Sequence, residues 1–337
     1  MGLKAQAAKP RNLHVDSLRG VAILLLVIHH VLIAFSGNGI IAEDGPADII
    51  GESLAQIVLP LFTFLSGYVY AMKPFQGDWG GFISDKALRL LIPMLILGTL
   101  FALLQSQLPY TEPDFDNLYM MHVIPVRHFW YVEALLIVFV LAAVLEKLKL
   151  LENDWKFFLL FFAVFTPLSI FAGHFVEYFA IDGAAYLLPY FFLGVWLFRA
   201  KKCGPLCLSV AALSLVAGCV IVGWWIANGA PLPPKESFTA ILIGCGGSVL
   251  LMRTNIQSAL LAKLGLYSYS IYILHYFFTV PPRLLLIKVG VDNVWVLGVA
   301  ATASGVLGPI LCEMILKRCP PITWLVLGIR QKRSRRA

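Results

Sequence analysis

An ionisable side chain inside an apolar stretch long enough to cross a membrane is costly there, so its presence calls for a use. Several occur in this chain. In DSLRGVAILLLVIHHVLIAF, Arg19 opens an apolar run and His30 follows eleven residues later, about 16 Å further along a helix axis. With Arg19 at one membrane edge, the His30 imidazole lies near mid-bilayer. His29 is adjacent but rotated about 100° around the helix, so only one of the pair faces a given polar cavity. An imidazole, with an ordinary pKa of ~6.5, takes or gives protons near neutral pH. A guanidinium suits phosphate or carboxylate. The plainer alternatives are a snorkelling anchor for Arg19 and neutral, hydrogen-bonded core residues for the histidines.

Further polar residues follow. LPLFTFLSGYVYAM carries Ser66 and Gly67, where a missing Cβ permits close backbone approach or simple helix packing. KALRLLIP carries Lys86, Arg89 and Pro93, with Arg89 either another snorkelling cation or part of a phosphate clamp. VRHFWYVEALL carries Arg127, His128, Trp130, Tyr131 and Glu133. Trp130 and Tyr131 read as aromatic-belt residues, whereas Glu133 lies about four residues into the apolar run. YSYSIYILHYFF places His275 behind Tyr267, Ser268, Tyr269 and Ser270. Together these form a polar track. Arg19, Arg89 and Ser66-Gly67 lie toward one face, His30 is in the middle, and His275, His128 and Glu133 lie toward the other. Chemistry that begins on one face and ends on the other needs such a track.

The elements that must position these residues follow from composition. Of 337 residues, 59% are apolar and 13% charged, against ~45–50% and ~25% in a soluble domain. That balance excludes a soluble globule and a disordered chain. It leaves an all-α, polytopic transmembrane helical bundle. Ten stretches approach the ~20 residues needed to cross: 18–36, 53–72, 88–108, 128–146, 155–173, 184–200, 206–227, 237–252, 263–281 and 292–316. With N-terminus and C-terminus both cytoplasmic, 22 of the 26 Lys and Arg residues fall on the inside, as the positive-inside rule requires. Only Arg127, Lys235, Arg283 and Lys288 fall outside. The net charge of +7 therefore reports topology rather than nucleic-acid binding, and the orientation is that of a multi-pass cytoplasmic (inner) membrane protein.

The expected organisation is a cytoplasmic tail at 1–17, one membrane domain at 18–316 and a basic interfacial tail at 317–337. ITWLVLGI is too short to cross, and QKRSRRA suits anionic lipid. The six cysteines avoid the external links, so no structural disulfide is expected. No His/Cys cluster suggests a metal.

At these residues the chain resembles the membrane-bound acyltransferase-3 family. DSLRGVAILLLVIHH is similar to its opening Arg-Gly…His signature, with Arg19 and His30 in the matching places. LPLFTFLSGYVY resembles its Phe-Ser-Gly element (Ser66, Gly67), and KALRLLIP its Arg…Pro element (Arg89, Pro93). HFWYVEALL resembles its His-x-Trp element, and LGLYSYSIYILH its late Tyr-Ser…His element (His275). Five elements recur in order across about 14–316. The resemblance implies an O-acyltransferase moving an acyl group, usually acetyl from acetyl-CoA, to a hydroxyl of a surface glycan or its lipid-linked precursor. On that basis Arg19 and Arg89 clamp the acyl-CoA phosphates, and Gly67 leaves room for the pantetheine arm between spans one and two. His30 acts as general base, assisted by His275, and Ser66 donates to the oxyanion or carries the acyl group. His128, Trp130, Glu133 and Tyr269 become substrate-side candidates. A hydrolase-like domain after the last span is not expected, so the membrane domain itself is expected to handle the acceptor, and Glu133 has no counterpart in the family pattern. A transporter or flippase of a lipid-linked sugar or small anion would share the spans and the track. Such proteins often show two related halves with broken helices, and no such symmetry is visible here.

Overall fold

The computed structural model describes residues 12–106, 120–200 and 203–329. Among these, twelve helices and no strand occur. They are α1 (Leu13–Ser36), α2 (Pro46–Met72), α3 (Trp79–Gln105), α4 (Arg127–Lys147), α5 (154–170), α6 (Ile181–Arg199), α7 (Pro205–Ala227), α8 (Phe238–Arg253), α9 (Ala259–Leu266), α10 (Ser268–Lys288), α11 (Val294–Leu316) and α12 (Pro320–Leu327). Six of the ten expected spans are long, unbroken helices close to their expected bounds, and a seventh, α3, is long but carries a π turn at Ala87–Leu91. α5 is interrupted by a π turn at Phe161–Phe165, α8 has only 16 residues, and the ninth is displaced. Eight helices are long and apolar enough to cross a membrane. Residues 1–11 and the basic tail from Arg330 onward lie outside the described residues.

The ninth span departs most from expectation. The helix expected over 263–281 is divided at Tyr267, and its membrane part runs from Ser268 to Lys288. Pro281 and Pro282 lie inside α10. Each removes one N–H, and neighbouring helices can satisfy the freed carbonyls. Arg283, expected in an external link, is therefore a buried residue of α10 whose guanidinium donates to the Ala34 carbonyl at 3.4 Å.

α1 sits centrally, packed on α2, α9, α10 and α11. Asn12 caps it by accepting from the His14 and Val15 amides. Its inward stripe runs through Val15, Leu18, Ala22, Leu26 and Val27 to Phe35. Glycines set the closest helix crossings, as expected where dispersion and close backbone contact drive association. A Cβ on Gly20 would stand 1.9 Å from the Leu261 carbonyl oxygen, and one on Gly265 1.9 Å from that of Asp16, so α1 and α9 meet backbone to backbone. α2 and α6 meet likewise, through Gly67 against the Phe191 carbonyl and Gly194 against that of Phe64. Gly194→Ala is expected to destabilise by ~3 kcal/mol, the upper end for overpacking, because the obstacle is backbone. A lowered thermal midpoint of the detergent-solubilised protein checks this; an unchanged midpoint would mean that α2 and α6 can separate without cost.

Cys203 and Cys207 form a disulfide, with Cα atoms 5.4 Å apart, which corrects the expectation of none. Cys207 lies in the first turn of α7 and Cys203 just before the extended Gly204 that precedes it, which folds the two within bridging distance.

Candidate active site

The site is assembled from α1, α2, α3, α4 and α10. Its centre is a histidine cluster. His30 Nδ1 lies 2.8 Å from His275 Nε2, and the two rings stack with centroids 4.9 Å apart. His275 is fully buried. Its Nδ1 faces two backbone carbonyls of α10, those of Tyr272 at 2.7 Å and Ile271 at 3.1 Å. Carbonyls only accept, so His275 Nδ1 carries the proton and Nε2 of the neutral ring is the acceptor. His30 Nδ1 must then be the donor. In neutral His30 this leaves Nε2 as a lone pair, with no hydrogen-bond partner among the described residues. His30 also keeps partial access while His275 and His128 are buried. The arrangement resembles other base-and-orienter pairs, in which one ring fixes the tautomer of the next.

His128 completes the cluster. Its ring centroid is 4.8 Å from that of His275 and 6.5 Å from that of His30, and it stacks on Tyr276 at 4.7 Å. Its Nε2 donates weakly to the Ile273 carbonyl at 3.4 Å, and its buried Nδ1 has no partner. The Tyr272 hydroxyl donates back to the His128 carbonyl, so the start of α4 is fastened to α10. His29 turns away and donates through Nδ1 to the Gly51 carbonyl of α2 at 2.8 Å, leaving His30 as the member of the pair that meets the cluster.

The two arginines lie toward the other end of the bundle. Arg19 is partly exposed, 3.9 Å from Asp16, and within electrostatic reach of both Arg89 and Tyr131. Arg89 is exposed on a π turn, Ala87–Leu91, in α3. Pro93 explains what holds that turn. It lacks the N–H that would bond the Arg89 carbonyl four residues earlier, and the Tyr269 hydroxyl of α10 donates to that carbonyl instead. Gly328, at a left-handed φ of 62°, lets the end of α12 press on the same turn, where a Cβ would stand 2.3 Å from the Leu88 carbonyl. π turns are frequent at functional sites. Two guanidiniums facing one region leave positive charge available for an anion.

The other expected residues are placed as follows. Gly67 does not open a path between α1 and α2, because it is the contact point of α2 on α6. The Ser66 hydroxyl donates to the Phe62 carbonyl of its own helix at 2.9 Å and meets the Tyr131 hydroxyl. Tyr269 lies beside Arg89 and not on the substrate side. Glu133 is buried with one oxygen unpartnered and has no histidine among its contacts in the described residues. Trp130 faces away from the cluster, toward α6 at Gly183.

Tyr131 was missed by sequence reading. It is buried, its hydroxyl meets Thr63 at 3.4 Å and Ser66 on α2, and its ring lies 5.3 Å from that of Tyr272. It therefore links the arginine end to the histidine cluster. Its position three residues after His128 puts both on one helix face, a signal hidden by its resemblance to an interfacial aromatic. Glu313 was also missed. It is buried in α11, accepts from Ser270 and pairs with Lys317. Among the described residues, no group of three His, Cys, Asp or Glu side chains has metal-holding geometry.

The sequence profile of an acyltransferase domain, Acyl_transf_3, matches residues 12–314. The chain belongs to this acyltransferase family. The match covers every helix of the site; the expected family motifs supply His30, His128 and His275 to the cluster and Arg19 and Arg89 to the other end of the bundle. The chain is also similar to nodulation protein NolL of Mesorhizobium japonicum (strain LMG 29417 / CECT 9101 / MAFF 303099), 26% identical over 146 residues. That alignment spans 42% of this chain and 38% of NolL. No solved structure matches the chain. The chain is thus a multi-pass membrane protein of this acyltransferase family.

Proposed function

We propose that this acyltransferase takes an acyl group, acetyl in the first instance, from acyl-CoA on the cytoplasmic side. It passes that group to a hydroxyl of a surface glycan or its lipid-linked precursor. The observation that carries the reading is the hydrogen-bond chain from the α10 carbonyls through His275 to His30. It leaves His30 Nε2 free to take the acceptor's proton. The acceptor oxygen then attacks the thioester carbonyl, the carbon–sulfur bond breaks, and the proton held on His30 passes to the departing thiolate as free CoA forms. Arg19 and Arg89 suit the donor's phosphates, as charge-assisted contacts. The lopsided distribution of Lys and Arg supports placing their end in the cytoplasm.

Release of CoA from acetyl-CoA by the purified protein, with the acetyl group recovered on a glycan acceptor, tests the reading. A protein that consumes no acyl-CoA under any acceptor would refute it and favour transport. Arg89→Ala is expected to raise the KM for acetyl-CoA ~10- to 100-fold, the worth of one hydrogen bond to a charged group, with kcat little changed. An unaltered donor dependence would make Arg89 an interfacial anchor.

A further inference from the structure

A cavity of about 170 Å³ opens beside the start of α4, at the end of the bundle away from the arginines. Its walls are Trp130, Tyr186, Lys235 and the carboxylates Glu177, Asp182 and Glu236. Trp130 and Tyr186 present two aromatic rings with centroids 6.3 Å apart. Gly183 makes room for the indole, since a Cβ there would come within 2.5 Å of the Trp130 ring. The Lys235 ammonium lies over both rings, 4.8 Å from the Trp130 centroid and 5.8 Å from that of Tyr186, and 3.5 Å from Glu236. Lys235 is also within electrostatic reach of His29.

The pocket adjoins the histidine cluster through one short segment. His128 and Trp130 are two residues apart at the start of α4, so they point to opposite sides of the helix. The first enters the cluster and the second floors the cavity. Tyr131, next in sequence, meets Ser66 on α2.

The composition of the walls specifies a ligand class. An aromatic face binds an apolar surface, and carboxylates at its edge accept hydrogen bonds from hydroxyl or ammonium groups. A sugar ring offers both at once, with C–H faces and a hydroxyl rim. The volume is below the ~300 Å³ lower bound for drug-sized ligands, so it suits one ring rather than an extended chain. Three carboxylates face a single ammonium, which is already paired, so a carboxylate-bearing sugar meets repulsion.

We propose that this cavity binds one neutral or amino sugar ring of the acyl acceptor. Trp130 is the platform, Asp182 and Glu236 accept from the sugar hydroxyls, and the ring takes the place over the indole that Lys235 holds. The use of the sugar as acyl acceptor rests on the acyl-transfer reading; its binding does not.

Saturation-transfer NMR on the full chain in lipid nanodiscs tests this, with methyl glucoside, methyl glucosaminide and methyl glucuronide as probes. The first two are expected to bind, and the glucuronide at least ~10-fold more weakly because of like-charge repulsion. Trp130→Leu is expected to lose binding of all three. Asp182→Asn preserves shape; it is expected to weaken the glucoside and narrow its advantage over the glucuronide. This second variant decides the matter should Trp130→Leu fail to fold. Absence of glycoside binding by the wild-type protein, equal binding of the glucuronide, or indifference to both substitutions would overturn the proposal. His30→Ala is expected to bind the glycosides as the wild type does. Glycoside binding without any acetyl-CoA consumption would sink the transfer reading and leave the pocket, whereas consumption without glycoside binding would do the reverse.

Discussion

His30→Ala is expected to lower acyl transfer ~100- to 10,000-fold, the usual worth of a positioned general base, while the protein still accumulates in the membrane and binds acyl-CoA. Alanine, however, removes both ring nitrogens at once: the Nδ1 donor that joins α1 to α10 and the Nε2 lone pair proposed as the base. His30→Asn separates them. Its side-chain amide can still donate toward His275 from near the Nδ1 position, but nothing in it takes a proton near neutral pH. If His30 is the base, His30→Asn is as inactive as His30→Ala and retains the wild-type thermal midpoint. An active asparagine variant would move the base elsewhere in the cluster. CoA release from labelled acetyl-CoA and a melting curve on the same preparation provide both readings.

His275 is argued to act through His30, so its substitution should have a different signature. His275→Ala leaves the His30 Nδ1–H without its acceptor and frees the ring to adopt either tautomer. The expected loss is ~10- to 100-fold in kcat, the cost of one strong hydrogen bond, with KM for acetyl-CoA unchanged. His275→Gln sets a carbonyl oxygen near the former Nε2 position, where it can again accept from His30. Partial rescue by glutamine but not by alanine is the result expected of a positioning residue. Equal loss in the two would indicate that His275 itself handles the proton.

Much of the bundle was legible because membrane solvation makes a blunt demand: long apolar runs must be helices, with every backbone bond closed internally. Among the described residues eight helices long and apolar enough to cross a membrane lie at or near runs placed from hydropathy, and Arg19, His30, His128 and His275 stood out because ionisable groups are rare in such runs. What escaped notice depended on which way a residue faces. Gly67 could be seen as a residue without a side chain, but not that the Phe191 backbone of α6 would fill the vacancy. Tyr131 looked like its neighbour Trp130, since one turn of helix decides between a rim position and the centre. Arg283 was assigned to an external link because the ninth run was expected to end at 281, and α10 passes straight through Pro281 and Pro282. The Cys203–Cys207 bridge was discounted on compartment, whereas the chain entry into α7 brings Cys203 back onto the first turn of the helix.

The fastening of Tyr269 to the Arg89 carbonyl has a mechanical corollary. Six residues separate Tyr269 from His275 in α10, a rigid strut of about 9 Å. The backbone that carries the outermost guanidinium and the imidazole that steers His30 thus hang from a single rod. Their spacing is set by helix rise and one hydrogen bond rather than by loop fluctuation, which makes the helix a ruler for any molecule stretched between them.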